Sequence, residues 1–172
     1  MLNDQFQLSN ETKKDRFPKL FSLVKKTRSE AKRILSFGCS TGEECFSLRK
    51  YYPSATITGI DINRYALQTA IRRRNKLKDD NMWFNTTIKA NNYDIIFALM
   101  VFFSIYEPLT LKEFTNSTNE LAERVAVGGI IVFRCLQFPF ENSLFKTIKT
   151  WTHGNNRNPG VDYYAGIWQR IK

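Results

Sequence analysis

At 172 residues, 42% hydrophobic and 14% aromatic, the chain suits one domain (residues 1–172) with a substantial core, and its composition excludes a disordered chain. No apolar run reaches the roughly 20 residues of a membrane helix, "MLNDQFQLSN" lacks the basic start and apolar stretch of a secretory signal, and Cys39, Cys45 and Cys135 have no metal-like spacing. The expectation is a cytoplasmic protein with reduced thiols, no integral membrane segment and no metal, whose net charge of +10 leaves nucleic acid, acidic proteins and anionic surfaces open as partners.

Apolar Phe17, Leu20, Phe21 and Val24 recur at helical spacing, with Pro18 in a first turn, which predicts an N-terminal helical extension over about residues 1–30. "RILSFG" reads as a short buried strand, and the segment after Ser40 as a helix that stops before Pro53. "ATITGID", residues 55–61, is alternating and β-branched, so a second strand follows. A basic helix comes next, with Ala66, Leu67, Ala70, Ile71 and Leu77 on one side. "MWFNTT" marks a third strand. The continuous apolar run "YDIIFALMVF", residues 93–102, suits a central strand covered on both faces.

A polar helix over roughly residues 109–126 is expected to stop at "VGG", where Gly128 and Gly129 suit a turn. "IIVFRCLQF" is then the fifth strand. From Glu141 onward the pattern reads as a helix, a Gly/Asn/Pro loop and a closing hairpin. Strand and helix patterns alternate throughout, which predicts a parallel α/β sheet with helices on both faces.

Ligands of such sheets bind outside the carboxyl ends of the strands, where strand order reverses. "FGCSTGEE" sits at the end of the first strand. Gly38 and Gly42 permit backbone angles closed to other residues and let a ligand approach the main chain. A helix starting near Thr41 would offer free N–H groups and a partial positive charge to a carboxylate. Asp61, at the tip of the second strand, is placed to accept hydrogen bonds from two adjacent ribose hydroxyls, with Ile62 beside it for a purine face. A nucleoside carrying an amino-acid tail fits these parts. A dinucleotide would need the longer G-x-G-x-x-G and would set its pyrophosphate beside Glu43 and Glu44. The ligand read from these residues is S-adenosyl-L-methionine.

In their order, "ILSFGCSTGEE", "ITGID", "YDIIFALMVFF" and "VGGIIVF" resemble a class I S-adenosylmethionine-dependent methyltransferase over roughly residues 30–136. Within that class, "CSTGEECFSL" is most similar to the loop of the chemotaxis-receptor glutamate methyltransferases. The resemblance implies a Rossmann-like sheet of order 3-2-1-4-5-7-6, with the last pair antiparallel. It also implies cofactor contact through Gly38, Gly42, Glu44 and Asp61. Cys39 and Ser40 of the same loop, Ile62, Asn85 and Ala98 complete the candidate cofactor residues, Asn85 standing in for the acidic residue that often holds the adenine amino group. The chain departs from the receptor enzymes where Ala98, Leu99 and Met100 replace a polar trio and where Cys45-Phe46 replaces Pro-Tyr.

The reaction implied is in-line transfer of a methyl group from a sulfonium to a small-molecule or protein acceptor. A carboxylate acceptor needs no general base, and no dedicated base is evident, which favours a carboxylate or otherwise ionised acceptor. Tyr106, just beyond the fourth strand, and His153, the single histidine, are the candidates for contact with substrate. Two alternatives stay open. One is an RNA or DNA methyltransferase using a basic face built from the segments Lys13 to Arg33 and Asn63 to Lys78. The other is a non-catalytic binding protein on the methyltransferase fold. Local structural roles compete for the same residues: Ser40 with Glu43, or Thr41 with Glu44, match a helix-capping box, and Asp61 suits a cap before "NRYAL".

Overall fold

The computed structural model describes residues 12–103, 109–154 and 162–172. In chain order the elements are α1 (Pro18–Thr27), β1 (Arg33–Phe37), α2 (Glu43–Tyr51), β2 (Thr56–Ile60), α3 (Arg64–Leu77), β3 (Met82–Asn85), β4 (Tyr93–Leu99), α4 (Leu111–Ala122), β5 (Val125–Leu136), β6 (Phe145–Gly154) and β7 (Asp162–Arg170). The strands form one seven-stranded sheet in the order β3-β2-β1-β4-β5-β7-β6. Strands β1 to β5 run parallel, and β7 is antiparallel to both β5 and β6. This is the expected order. The order reverses between β2 and β4 on either side of β1, which opens a crevice at the carboxyl end of β1.

Two elements differ from expectation. The segment after Glu141 is strand β6, not a helix. Leu144, Ile148 and Trp151 recur at helical spacing, but Thr147, Ile148, Thr150 and Thr152 are β-branched, and pairing along the length of β7 prevails. The "VGG" stretch is not a helix stop either. Helix α4 ends at Ala122, and Gly128 and Gly129 lie inside β5, where its pairing with β4 shifts register between Tyr93 and Ile95. Gly128 takes φ 80°, and a Cβ on Gly129 would lie 2.9 Å from the carbonyl oxygens of Ala126 and Tyr93. The α4 start carries a capping box: Glu113 N donates to Thr110 Oγ1 at 3.3 Å, and Thr110 N donates to Glu113 Oε2 at 2.9 Å.

The sheet has a core on each face. One is lined by Leu20, Phe21 and Val24 of α1, Phe46 and Leu48 of α2, and Leu67 and Ala70 of α3, packed on Ile34, Ile57, Ile95, Phe97 and Val132. Leu77, expected on the apolar side of α3, is 59% exposed at its end. The other face has Phe114, Leu121 and Ala122 of α4, and a layer of rings that includes Phe37, Phe102, Phe133, Phe140 and Trp168. Asp94 at the start of β4 is structural. It accepts from the Arg28 guanidinium at 3.0 Å and from the amides of Lys32 and Arg33 at 2.8 and 3.0 Å. Burial raises its pKa, but these bonds outweigh burial and hold the carboxyl below its ordinary value.

Candidate cofactor site

The chain leaves β1 through a tight loop. Gly38, Ser40 and Gly42 take φ values of 75°, 49° and 83°. The amides of Gly38 and Cys39 both donate to Ile60 O, at 2.8 and 2.9 Å, and Gly42 N donates to Cys39 O at 2.9 Å. Both glycines are required by the protein's own packing as well as by backbone angle. A Cβ on Gly38 would run into Val101 Cγ2, and one on Gly42 would lie 3.0 Å from Ala70, Phe46 and Phe84. Helix α2 begins at Glu43 with left-handed Gly42 as its cap and no side-chain cap bond. Neither capping box suggested by Ser40–Glu43 or Thr41–Glu44 forms there. The first-turn amides have no intrahelical acceptor and sit at the positive end of the helix.

Asp61 ties three elements together. Its Oδ2 accepts from Ser40 N at 2.7 Å, its Oδ1 accepts from Asn63 N at 2.8 Å, and its own amide donates to Asn85 O at 3.2 Å. Asn63, not Asp61, caps α3, accepting from Tyr65 N and Ala66 N at 3.0 and 3.1 Å. Asp61 has no ion-pair partner among the described residues. An ionised carboxylate offers about four acceptor positions; the two backbone bonds leave about half of them for a ligand. Ile62 follows, half-buried and packed into neither core.

The two glutamates have separate fates. Glu43 pairs with Arg73, whose guanidinium lies 4.1 Å from the Phe46 ring centroid. Glu44 accepts a hydrogen bond from the buried Ser36 hydroxyl at 2.8 Å. Burial pushes the Glu44 carboxyl up to about 7, against the opposing effects of Ser36 and the positive charge of Arg16. The Cys39 thiol is buried beside Cys45, and burial raises its pKa well above the usual thiol range, so it stays protonated.

The segment before α1 is tied to α2. Asp15 N donates to Ser47 Oγ at 3.0 Å, and the Asp15 carboxylate pairs with Lys50. The Phe17 ring lies under two guanidinium groups, Arg16 at 5.3 Å and Arg134 at 4.9 Å. Arg134 sits near the carboxyl end of β5, in register with Leu99 of β4, and its Nε is buried without a hydrogen-bond partner.

Gly38, Ser40, Gly42, Glu44, Asp61, Ile62 and Asn85 are thus gathered around the carboxyl ends of β1, β2 and β3. Cys39 and Ala98 turn their side chains into the protein: Cys39 beneath β2 beside Gly59, Ala98 into the ring-lined core. Tyr106 lies outside the described residues. His153 falls on β6, at the far edge of the sheet and four strand steps from β1, about 19 Å at ~4.8 Å per step. Sequence reasoning missed Ser36, Arg16, Arg134 and Val101. Two of them left a signal: Ser36 is the lone hydroxyl in "RILSF", and Arg134 the lone charge in "IIVFRCLQF". Among the described residues, no cluster of His, Cys, Asp and Glu could hold a metal ion, and no helix is long and apolar enough to cross a membrane.

Comparison with known proteins matches this arrangement. Residues 28–159 fit the family model of a methyltransferase domain. No curated protein sequence matches the chain. The N-methyltransferase NodS from Bradyrhizobium japonicum WM9 is structurally similar with a TM-score of 0.64 at 13% identity, over 90% of this chain and 96% of that one. The putative methyltransferase yhhF from Escherichia coli gives 0.64 at 16% identity, over 90% and 83%. Coclaurine N-methyltransferase, solved with N-methylheliamine and SAH, gives 0.59 at 12% identity, over 83% and 55%. At such identities these structures share the fold. The family model spans most of the chain, and this protein accordingly belongs to the methyltransferase domain family, as a class I S-adenosylmethionine-dependent methyltransferase.

Proposed function

We propose that the crevice at the carboxyl ends of β1, β2 and β3 binds S-adenosylmethionine, and that the protein methylates an anionic small-molecule or protein acceptor, a carboxylate foremost. Asp61 carries the cofactor reading. Its carboxylate is held rigidly by the Ser40 and Asn63 amides and keeps acceptor capacity for two adjacent hydroxyls. The rest of the donor set fits the same molecule. The first-turn amides of α2 suit a carboxylate, and the Gly38–Gly42 loop brings them close. Glu44 suits an ammonium, Ile62 offers adenine an apolar face, and the Asn85 amide can both donate to and accept from its edge. That coclaurine N-methyltransferase is solved with SAH supports the same cofactor.

When bound, the cofactor supplies a methyl group already activated on a sulfonium. The chain then has to bind, orient and exclude water, which is where most of the rate gain in such a transfer lies. Val101 and Phe17 provide apolar cover, and Asp15 holds the segment before α1 to α2. Arg134, beside the ends of β4 and β5 with a buried and unpartnered Nε, supports an anionic acceptor. A carboxylate held there is ionised at neutral pH and can attack without giving up a proton. Tyr106 is a further candidate for acceptor contact, whereas the place of His153 on the far edge strand removes it from the crevice.

Calorimetry with S-adenosylhomocysteine tests the cofactor site. Asp61→Ala is expected to weaken binding at least about tenfold, because hydrogen bonds to a charged acceptor are lost. Asp61→Asn, which keeps one acceptor for the Ser40 amide, separates loss of the ribose contact from loosening of the loop. Unchanged affinity in both folded variants would overturn the assignment.

A further inference from the structure

A second surface lies beside the crevice, on the outward face of α3 and the edge of the sheet. The apolar stripe of α3 (Ala66, Leu67 and Ala70) is buried, and the cations Arg64, Arg72, Lys76 and, at the helix end, Lys78 are exposed among neutral Gln68, Thr69 and Asn75. None of these, nor Arg74, has an ion-pair partner among the described residues, whereas the nearby Arg49, Lys50 and Arg73 are each paired with a carboxylate. Arg72 and Lys76, one turn apart on the stripe that carries Tyr65, are unpaired cations in a helix without acidic residues, followed by Asp79, paired with Arg49, and exposed Asp80; their field favours a polyanion.

Two exposed rings lie at α3 and the adjoining sheet edge, Tyr65 on the outward stripe of the helix and Trp83 on the face of β3 opposite Met82 and Phe84. Tyr65, in the first turn of α3, is 83% exposed, and Trp83, on edge strand β3, is 51% exposed. The Arg74 guanidinium, on the sheet side of α3, lies 5.8 Å from the Trp83 ring centroid and donates to Met82 O, which puts a cation at the sheet edge. Unpaired bases stack on such rings while cations neutralise the phosphates. We propose that α3 and the β3 edge form a docking surface for single-stranded nucleic acid. The helix length of about 21 Å accommodates about six stacked nucleotides at ~3.4 Å each. A bilayer fits the surface less well, because α3 turns its apolar stripe to the sheet and exposes only Leu77 of its aliphatic side chains. A duplex fits less well too, because its bases are already stacked and leave Tyr65 and Trp83 unused.

The proposal stands on surface charge and exposed rings and does not require that the crevice bind a cofactor. The test is fluorescence anisotropy of a labelled oligouridylate of about twelve nucleotides, within the usual site sizes for single strands, titrated with the whole chain at rising salt. Binding is expected to weaken with a log–log slope of about −3, the value for about four neutralised phosphates. Arg72→Glu with Lys76→Glu should weaken it at least about tenfold, and Tyr65→Ala about fivefold or more. All three side chains are solvent-facing, and unchanged thermal melting confirms that the variants fold. No binding at about 100 mM salt, affinity indifferent to these substitutions, equal affinity for a duplex of the same length, or tighter binding to phosphatidylserine vesicles would each overturn the proposal. Asp61→Ala is expected to leave oligonucleotide affinity unchanged; its loss would tie the strand to the crevice and overturn a separate surface.

Discussion

On one face of the sheet α1, α2 and α3 lie side by side and bury aliphatic and aromatic residues against Ile34, Ile57, Ile95 and Val132. On the other, α4 is the one helix among the described residues, and irregular segments run from β3 to β4 and from β5 to β6. There the gaps are filled by rings. Phe133 lies between Phe102, Phe140 and Trp168 at centroid distances of 5.8, 4.9 and 5.8 Å, and Phe102 stacks on Phe37 at 5.8 Å. A ring covers as much sheet as two or three smaller side chains, so loops carrying Phe138 and Phe140 do the work of a helix. The polar site residues Ser36 and Glu44 lie on the helical face, bonded to each other between β1 and the first turn of α2. One face is built for the site, and the other for cover.

That contrast predicts unequal costs. Phe133→Ala, fully buried among rings, should lose about 4 kcal/mol in urea unfolding, against about 3 for Leu48→Ala on the helical face. Equal losses, or the reverse order, would mean that the rings are not what seals their face.

The helical face should instead show itself by pH. Glu44 has its pKa raised from 4.5 to about 7, so over that window the native state keeps a proton that the unfolded chain releases. Stability contributed by protonated Glu44 is therefore full below pH 4.5 and declines as pH rises to about 7, by something on the order of 3 kcal/mol. Glu44→Gln should remove this part of the slope, which paired pH series of denaturant melts would reveal. Should Glu44 hold the cofactor ammonium, S-adenosylhomocysteine binding below neutral pH would also release a proton, measurable by calorimetry in buffers of different ionisation heat, and the variant would not. A third and smaller effect belongs to the ring face. Loss of the α4 cap in Thr110→Ala should cost about 1 kcal/mol without altering cofactor affinity; a change in affinity would couple the two faces.

What the chain determined locally was the set of strands rich in β-branched and apolar residues, β1, β2 and β4, together with the glycine loop and the acidic tip at Asp61. Those signals survive because a buried parallel strand and a left-handed glycine depend mainly on their own residues. Tertiary contacts decided the rest. Leu144, Ile148 and Trp151 are spaced for a helix, yet β7 was available to pair and the segment became an edge strand. The capping pattern at Ser40 to Glu44 was real in the sequence and lost in the fold: Asp61 took the Ser40 amide, Arg73 took Glu43 across 30 positions, and Ser36 took Glu44. Periodicity reports which way a side chain points from its own backbone. It carries no record of which distant partner will meet it, and here those partners built the site.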